Sequence, residues 1–136
     1  MESTVVWKDG LAFTAHQGGH AIALDASREA GGQDSGASPK GLLLSGLGGC
    51  TGIDVVAILA KMRVSVDGFR VLVSADLTDE HPKVFKRIHV RYAFQGRDLP
   101  MDKLERAVAL SMERYCGVSA MLAKAAPIDW DIVVED

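Results

Sequence analysis

Hydrophobic and polar positions along this chain recur with two periods, and the switches between them outline its elements. Val5 and Trp7 run up to Asp9-Gly10, a hairpin-turn dipeptide, and Leu11, Phe13 and Ala15 alternate on the far side. Gly18-Gly19, flanked by His16 and His20, marks a second turn, and Ile22 and Leu24 suggest a third short strand. Residues 26–37, ASREAGGQDSGA, are small and polar, the composition of a mobile loop. Ser38-Pro39 then opens a helix, Ser as N-cap and Pro at the first helical position. That helix is expected to run to about Met62, where Lys61 and Arg63 complement its C-terminal partial charge.

The helix is apolar nearly all round, through Leu42, Leu43, Leu44, Leu47, Ile53, Val55, Val56, Ile58 and Leu59, the pattern of a helix buried on most sides. It also carries Gly46, Gly48, Gly49 and Gly52. An interior glycine costs about 1 kcal/mol relative to alanine, so close approach of another backbone is expected there. After it, Phe69, Val71, Val73, Ala75 and Leu77 alternate with polar residues, Leu72 excepted. A Pro-containing connection leads to Ile88, Val90, Tyr92 and Phe94, which alternate with Arg87, His89 and Arg91. Both runs have the period of two of half-buried strands, and the odd-numbered charges predict a solvated face.

Leu104, Ala107, Val108, Ser111, Met112 and Tyr115 recur at helical spacing and predict one apolar stripe. Gly117 permits a break, Val118 to Lys124 suggests one or two more turns, and Pro127 precedes a last strand through Ile128, Trp130, Ile132 and Val134. The order is β-β-β-α-β-β-α-α-β, read as one α+β domain over residues 1–136. Two layers of antiparallel sheet are expected around the long helix, with a second copy of the chain covering the rest of it.

A length of 136 residues suits a single domain. The net charge of −3, with no basic cluster to neutralise a row of phosphates, argues against a nucleic-acid partner. Met1–Ala15 holds charges and no long apolar core, so no signal peptide is expected. The uncharged run Gly41–Ile53 is interrupted by Asp54 and is shorter than the roughly 20 residues a bilayer span needs. A cytoplasmic protein without a membrane partner is the expectation.

The two cysteines, Cys50 and Cys116, form no CxxC and no zinc spacing, and in a reducing compartment both are expected as thiols. Free cysteines pack well as small hydrophobes, so two inert core thiols are one reading. Cys50 lies mid-helix on a face with Gly46, Leu47, Ile53 and Asp54, and Asp54 opposes ionisation of a thiol. Cys116 ends the second helix before Gly117, a place from which a resolving thiol can move. His16, His20, His81 and His89 show no metal-ligand spacing, and Ser45 lacks the GxSxG setting of a hydrolase nucleophile. No metal and no cofactor is expected.

Two segments, GGQDSGASPKGLLLSGLGGCTGIDVV (Gly31–Val56) and LSMERYCGVSAML (Leu110–Leu122), resemble the two cysteine motifs of the OsmC/Ohr family, especially its YhfA-like branch. Gly19-His20, Pro82-Lys83-Val84-Phe85 and the closing strand with Trp130 fit as well, so the resemblance runs over nearly the whole chain. It implies an intertwined homodimer in which sheets of both chains wrap long central helices. It also implies reduction of organic hydroperoxides, in oxidative-stress defence. Cys50 would be the peroxidatic thiol that becomes a sulfenic acid, Cys116 would resolve it as a disulfide, and a dithiol reductant such as a lipoylated protein would restore both.

Two departures stand out. The peroxidase members carry a glutamate near the start of the first-cysteine helix, where this chain has Lys40 and Gly41. They also carry an N-terminal arginine, whereas the strand region here has none. His20 lies in a broadly similar place and Arg28 falls in the loop, but neither matches the motif. The competing reading is a non-catalytic dimer that binds a small apolar or acyl ligand in the cleft around the cysteines.

Overall fold

The computed structural model describes residues 1–135, which form two compact units, the first Met1–Leu43 and the second beginning at Leu44. In the first, β1 (Thr4–Asp9), β2 (Ala12–Gln17) and β3 (His20–Leu24) make an antiparallel sheet in the order β1-β2-β3. Gln17 pairs with His20 across Gly18-Gly19, whose φ values of 50° and 84° are those a two-residue hairpin turn demands. Both expected hairpins are present. β1 is exposed throughout in the chain, Val5 and Trp7 included.

The loop after β3 corrects an expectation. Residues 26–37 are tied down rather than loose. Asp25 is buried and its carboxylate accepts from the backbone N–H groups of Ala26, Gln33 and Ser35 and from the Ser35 hydroxyl. These bonds, led by the Ser35 hydroxyl, hold its pKa below the ordinary carboxylate value. Ala37 closes the loop by bridging to Leu24. Gly36 is required by this closure, since a Cβ there would lie 2.5 Å from the Ala23 carbonyl carbon.

Helix α1 (Pro39–Lys61) starts as expected, with the Ser38 Oγ accepting from the Gly41 N–H at 3.1 Å. Arg63 ends it in the left-handed conformation, φ 58°, with the Arg63 and Val64 N–H groups donating to Ala60 and Leu59. That arrangement usually selects glycine. In the second unit β4 (Gly68–Leu77), β5 (Phe85–Gln95) and β6 (Ile128–Glu135) form a sheet in the order β4-β5-β6. β4 and β5 are antiparallel, but β5 and β6 run parallel, so this sheet is mixed rather than wholly antiparallel. The helical segment between β5 and β6 supplies the crossover that a parallel pair needs. It consists of α2 (Met101–Leu110), a π-helical turn (Ser111–Tyr115) and α3 (Gly117–Leu122).

The core lies on one face of this sheet. Ile88, Val90, Tyr92 and Phe94 of β5 are buried, and Phe69 stacks on Phe94 at 4.6 Å between centroids. Leu47, Thr51, Val55 and Leu59 bring one stripe of α1 to it, and Leu104, Ala107 and Val108 one stripe of α2. The opposite face is solvated as expected. There His89 pairs with Asp129 and Asp131, Arg91 with Asp131 and Arg87 with Asp76.

Burial of α1 on most sides is not met within the chain. Ile53 is 73% exposed and Val56 53%. The glycines differ accordingly. A Cβ at Gly48 would meet the Val73 side chain at 3.2 Å and one at Gly52 the Val71 side chain at 3.6 Å, while Gly46 and Gly49 face open space. Close approach inside the chain is therefore to strand side chains, not to a backbone. By length and composition α1 is sufficient to cross a bilayer. Its sunken stripe includes Thr51, whose hydroxyl is bonded to Tyr92 on β5, and such bonds belong to a core helix.

Candidate functional site

Cys50 is half-buried on α1 and packs against the core of the second unit. Cys116 is 3% exposed. Both are free thiols. Cys116 lies at the junction of the π-helical turn and α3, with φ −76° and ψ 100°, and it caps α3: its Sγ accepts from the Ser119 N–H at 3.3 Å, while the Ser119 hydroxyl donates to its carbonyl at 2.9 Å. The break falls at Cys116 itself and Gly117 opens the next helix, one residue from the expected place.

Both thiols pack on the same hydrophobic cluster of the second unit, near enough for Cys50 to act on Cys116. Burial pushes the Cys116 thiol up, the Ser119 N–H and hydroxyl pull it down, and the nearby Cys50 raises it again.

Beside the thiols runs a chain of polar groups. Tyr92 Oη lies 2.7 Å from Thr51 Oγ1, Thr51 Oγ1 lies 2.7 Å from Ser111 Oγ, and the Ser111 hydroxyl donates to Asp54 Oδ2 at 2.9 Å. Tyr92, Thr51 and Ser111 are fully buried, so each hydroxyl must find its partner here. The direction of the chain follows from proton counting. A carboxylate only accepts, so Ser111 spends its one hydrogen on Asp54. Thr51 then donates to Ser111, and Tyr92 to Thr51. Burial pushes the Tyr92 phenol up to about 12, opposed by Thr51 and helped by the charges of Cys116 and Asp54. Trp130 meets the Tyr92 ring edge-on at 6.2 Å.

Sequence reasoning found both thiols and missed Thr51, Tyr92 and Ser111 as site residues. Thr51 and Ser111 lie on the buried stripes with the period of the core, so nothing in the sequence sets them apart. The sequence shows Asp54 as a break in an uncharged run and a charge beside Cys50, not as the partner of Ser111. On the same unit a groove of about 520 Å³ between α2 and β6 is lined by Met101, Glu105, Ala109, Trp130, Asp131 and Ile132. Neither thiol lines it.

Comparison with known proteins establishes the family. The model of the family described as OsmC-like protein matches residues 32–131, which include both cysteines and the whole hydroxyl chain. The chain belongs to the OsmC-like family. It is 38% identical to the protein YhfA of Escherichia coli strain K12 over 129 residues, 94% of this chain and 93% of that one. A crystal structure of an OsmC-like protein from Mycoplasma pneumoniae superposes with a TM-score of 0.84 at 16% identity, covering 99% of this chain and 96% of the other. An organic hydroperoxide resistance protein OsmC from Legionella pneumophila superposes with a TM-score of 0.70 at 18% identity, covering 98% of each chain. At these identities the two structures establish the OsmC fold.

Proposed function

We propose that the chain reduces organic hydroperoxides with Cys50 and Cys116 as its catalytic residues. The observation that supports this reading is that both thiols, one on α1 and one at the end of the π-helical turn, pack on one hydrophobic cluster. In the first step the Cys50 thiolate attacks the terminal peroxide oxygen. The O–O bond breaks, the alcohol leaves with a proton, and Cys50 becomes a sulfenic acid. In the second step the Cys116 sulfur attacks that sulfenic sulfur, the S–S bond forms, and hydroxide leaves with the Cys116 proton as water. A dithiol such as a lipoylated protein returns both thiols by two exchanges and is itself oxidised to its disulfide. Both catalytic groups are protein thiols, and no step needs a cofactor.

The working unit in this reading is a cytoplasmic homodimer of one OsmC-like domain per chain, residues 1–136. The support is the helix face formed by Gly46, Gly49, Ile53 and Val56, which is apolar, spaced at helical intervals and left open by the chain's own packing. A second copy would cover it, and obligate interfaces are apolar in this way.

The test is consumption of cumene hydroperoxide with a dithiol reductant. Turnover that saturates with substrate and vanishes in Cys50→Ser supports the proposal. No turnover in the wild-type chain, together with a co-purifying apolar ligand, would transfer the assignment to a non-catalytic binding dimer.

A further inference from the structure

Ser111 is more than a polar residue at the edge of a helix. It opens the π-helical turn, and the Cys116 N–H donates back five residues to the Ser111 carbonyl at 2.8 Å. An α-helix turns about 100° per residue, and continuing α2 in that register would carry its buried stripe through Tyr115. The wider turn holds one extra residue. Tyr115 is accordingly 58% exposed, and Cys116 takes the inward position. π-helical turns are rare and less favourable than α-helix, so something must hold this one open. Its first residue is fixed to α1 twice, through Thr51, the residue next to Cys50, and through Asp54 one turn further on. The same two elements carry the two thiols.

The geometry points to Thr51, Ser111 and Asp54 as positioning residues that lock the π-helical turn against α1 and so keep Cys116 in register with Cys50 for disulfide formation. Released from this tether, the segment relaxes toward regular helix, Tyr115 competes for the inward position, and Cys116 turns about 100° away. The inference concerns the same thiol pair as the proposed peroxidase, and it holds for any oxidant able to drive the bond.

The experiment therefore uses diamide, which takes two electrons from the thiol pair and becomes the hydrazine, so that the S–S bond forms without a hydroperoxide. The rate of Cys50–Cys116 bonding is followed by thiol trapping and mass spectrometry, and the position of the bond is then read at equilibrium in a glutathione buffer. Thr51→Val keeps the shape and removes the hydroxyl; Thr51→Ser keeps the hydroxyl. Ser111→Ala cuts the tether at its other end. Thr51→Val and Ser111→Ala are expected to slow bonding at least about tenfold and to make the bond easier to reduce, with Thr51→Ser close to wild type. Wild-type bonding in both cut variants would overturn the inference. So would equal losses in Thr51→Val and Thr51→Ser, because packing rather than hydrogen bonding would then explain the effect. Should Thr51→Val fail to fold, Ser111→Ala, which cuts both links of the tether without removing a charge, reads the same linkage with the same expected direction. A wild-type chain that bonds with diamide but not with cumene hydroperoxide sinks the peroxidase proposal alone. A hydroperoxide cycle unaffected in the cut variants sinks this inference alone.

Discussion

Leu47 and Ile53 look alike in the sequence and differ in everything the chain does with them. Leu47 is wholly enclosed by the core of the second unit, so Leu47→Ala leaves a cavity and is expected to cost about 2–5 kcal/mol in urea unfolding. Ile53 is 73% exposed on the same helix. Helical periodicity marks both as apolar, but a helix apolar all round cannot say which stripe its own chain covers. Gly41 is a second case. Introducing glutamate there would imitate the peroxidase members, but a Cβ at Gly41 lies 2.7 Å from the Ser38 Oγ that caps α1. Gly41→Glu is therefore expected to restore little hydroperoxide turnover, since the arginine partner is also missing, and to lower the thermal midpoint by disturbing the cap. A large gain in turnover would show that the carboxylate alone activates the thiol. The thiols themselves were legible from their motifs. Their hydroxyl neighbours were not, because a buried Thr or Ser on an apolar stripe has the period of the core.

At the scale of elements, β5 was the clearest prediction, for a physical reason. Ile88, Val90, Tyr92 and Phe94 fill the core while Arg87, His89 and Arg91 hold ion pairs on the other face, so both faces write the same period into the sequence. The direction of β6 was not legible, because a period of two is identical in parallel and antiparallel strands. The π-helical turn was hidden too, since apolar spacing reports 3.6 residues per turn and its one extra residue only shifts the stripe. On the solvated face, His89 Nδ1 lies 2.6 Å from Asp129 and Nε2 3.2 Å from Asp131, across the parallel register of β5 and β6. The hydrogen bond to Asp129 leads in raising the His89 pKa above its ordinary 6.5. A raised folded-state pKa gives stability that is fully present below the ordinary value and is lost as pH rises through the folded one. The gap in urea midpoint between wild type and His89→Ala is thus expected to be largest at mildly acidic pH and to close in alkali. Screening keeps it below about 1 kcal/mol. A gap that widens with pH would reverse the assignment.

For the whole molecule, the glycines of α1 separate the chain's own packing from that of an assembly. Gly48→Leu overfills the contact with Val73 and is expected to destabilise the fold itself, by about 1–3 kcal/mol. Gly49→Leu meets nothing within the chain, so it should leave the fold intact and act only on association. Sedimentation checks this: the wild type is expected at twice the chain mass of 14.5 kDa and Gly49→Leu at the chain mass. A wild type that sediments as a monomer when dilute would remove the dimer. The family and fold class were readable from two cysteine motifs and the element order. That both thiols pack on one hydrophobic cluster was not, because nothing in spacing alone brings a residue of α1 near the end of a turn so far along the chain. The meeting of Cys50 and Cys116 is the central claim, and mass spectrometry of the chain after stoichiometric cumene hydroperoxide tests it most directly. The account predicts a single Cys50–Cys116 linked peptide, formed within one chain and absent from Cys50→Ser. Two unmodified thiols after prolonged exposure would contradict it.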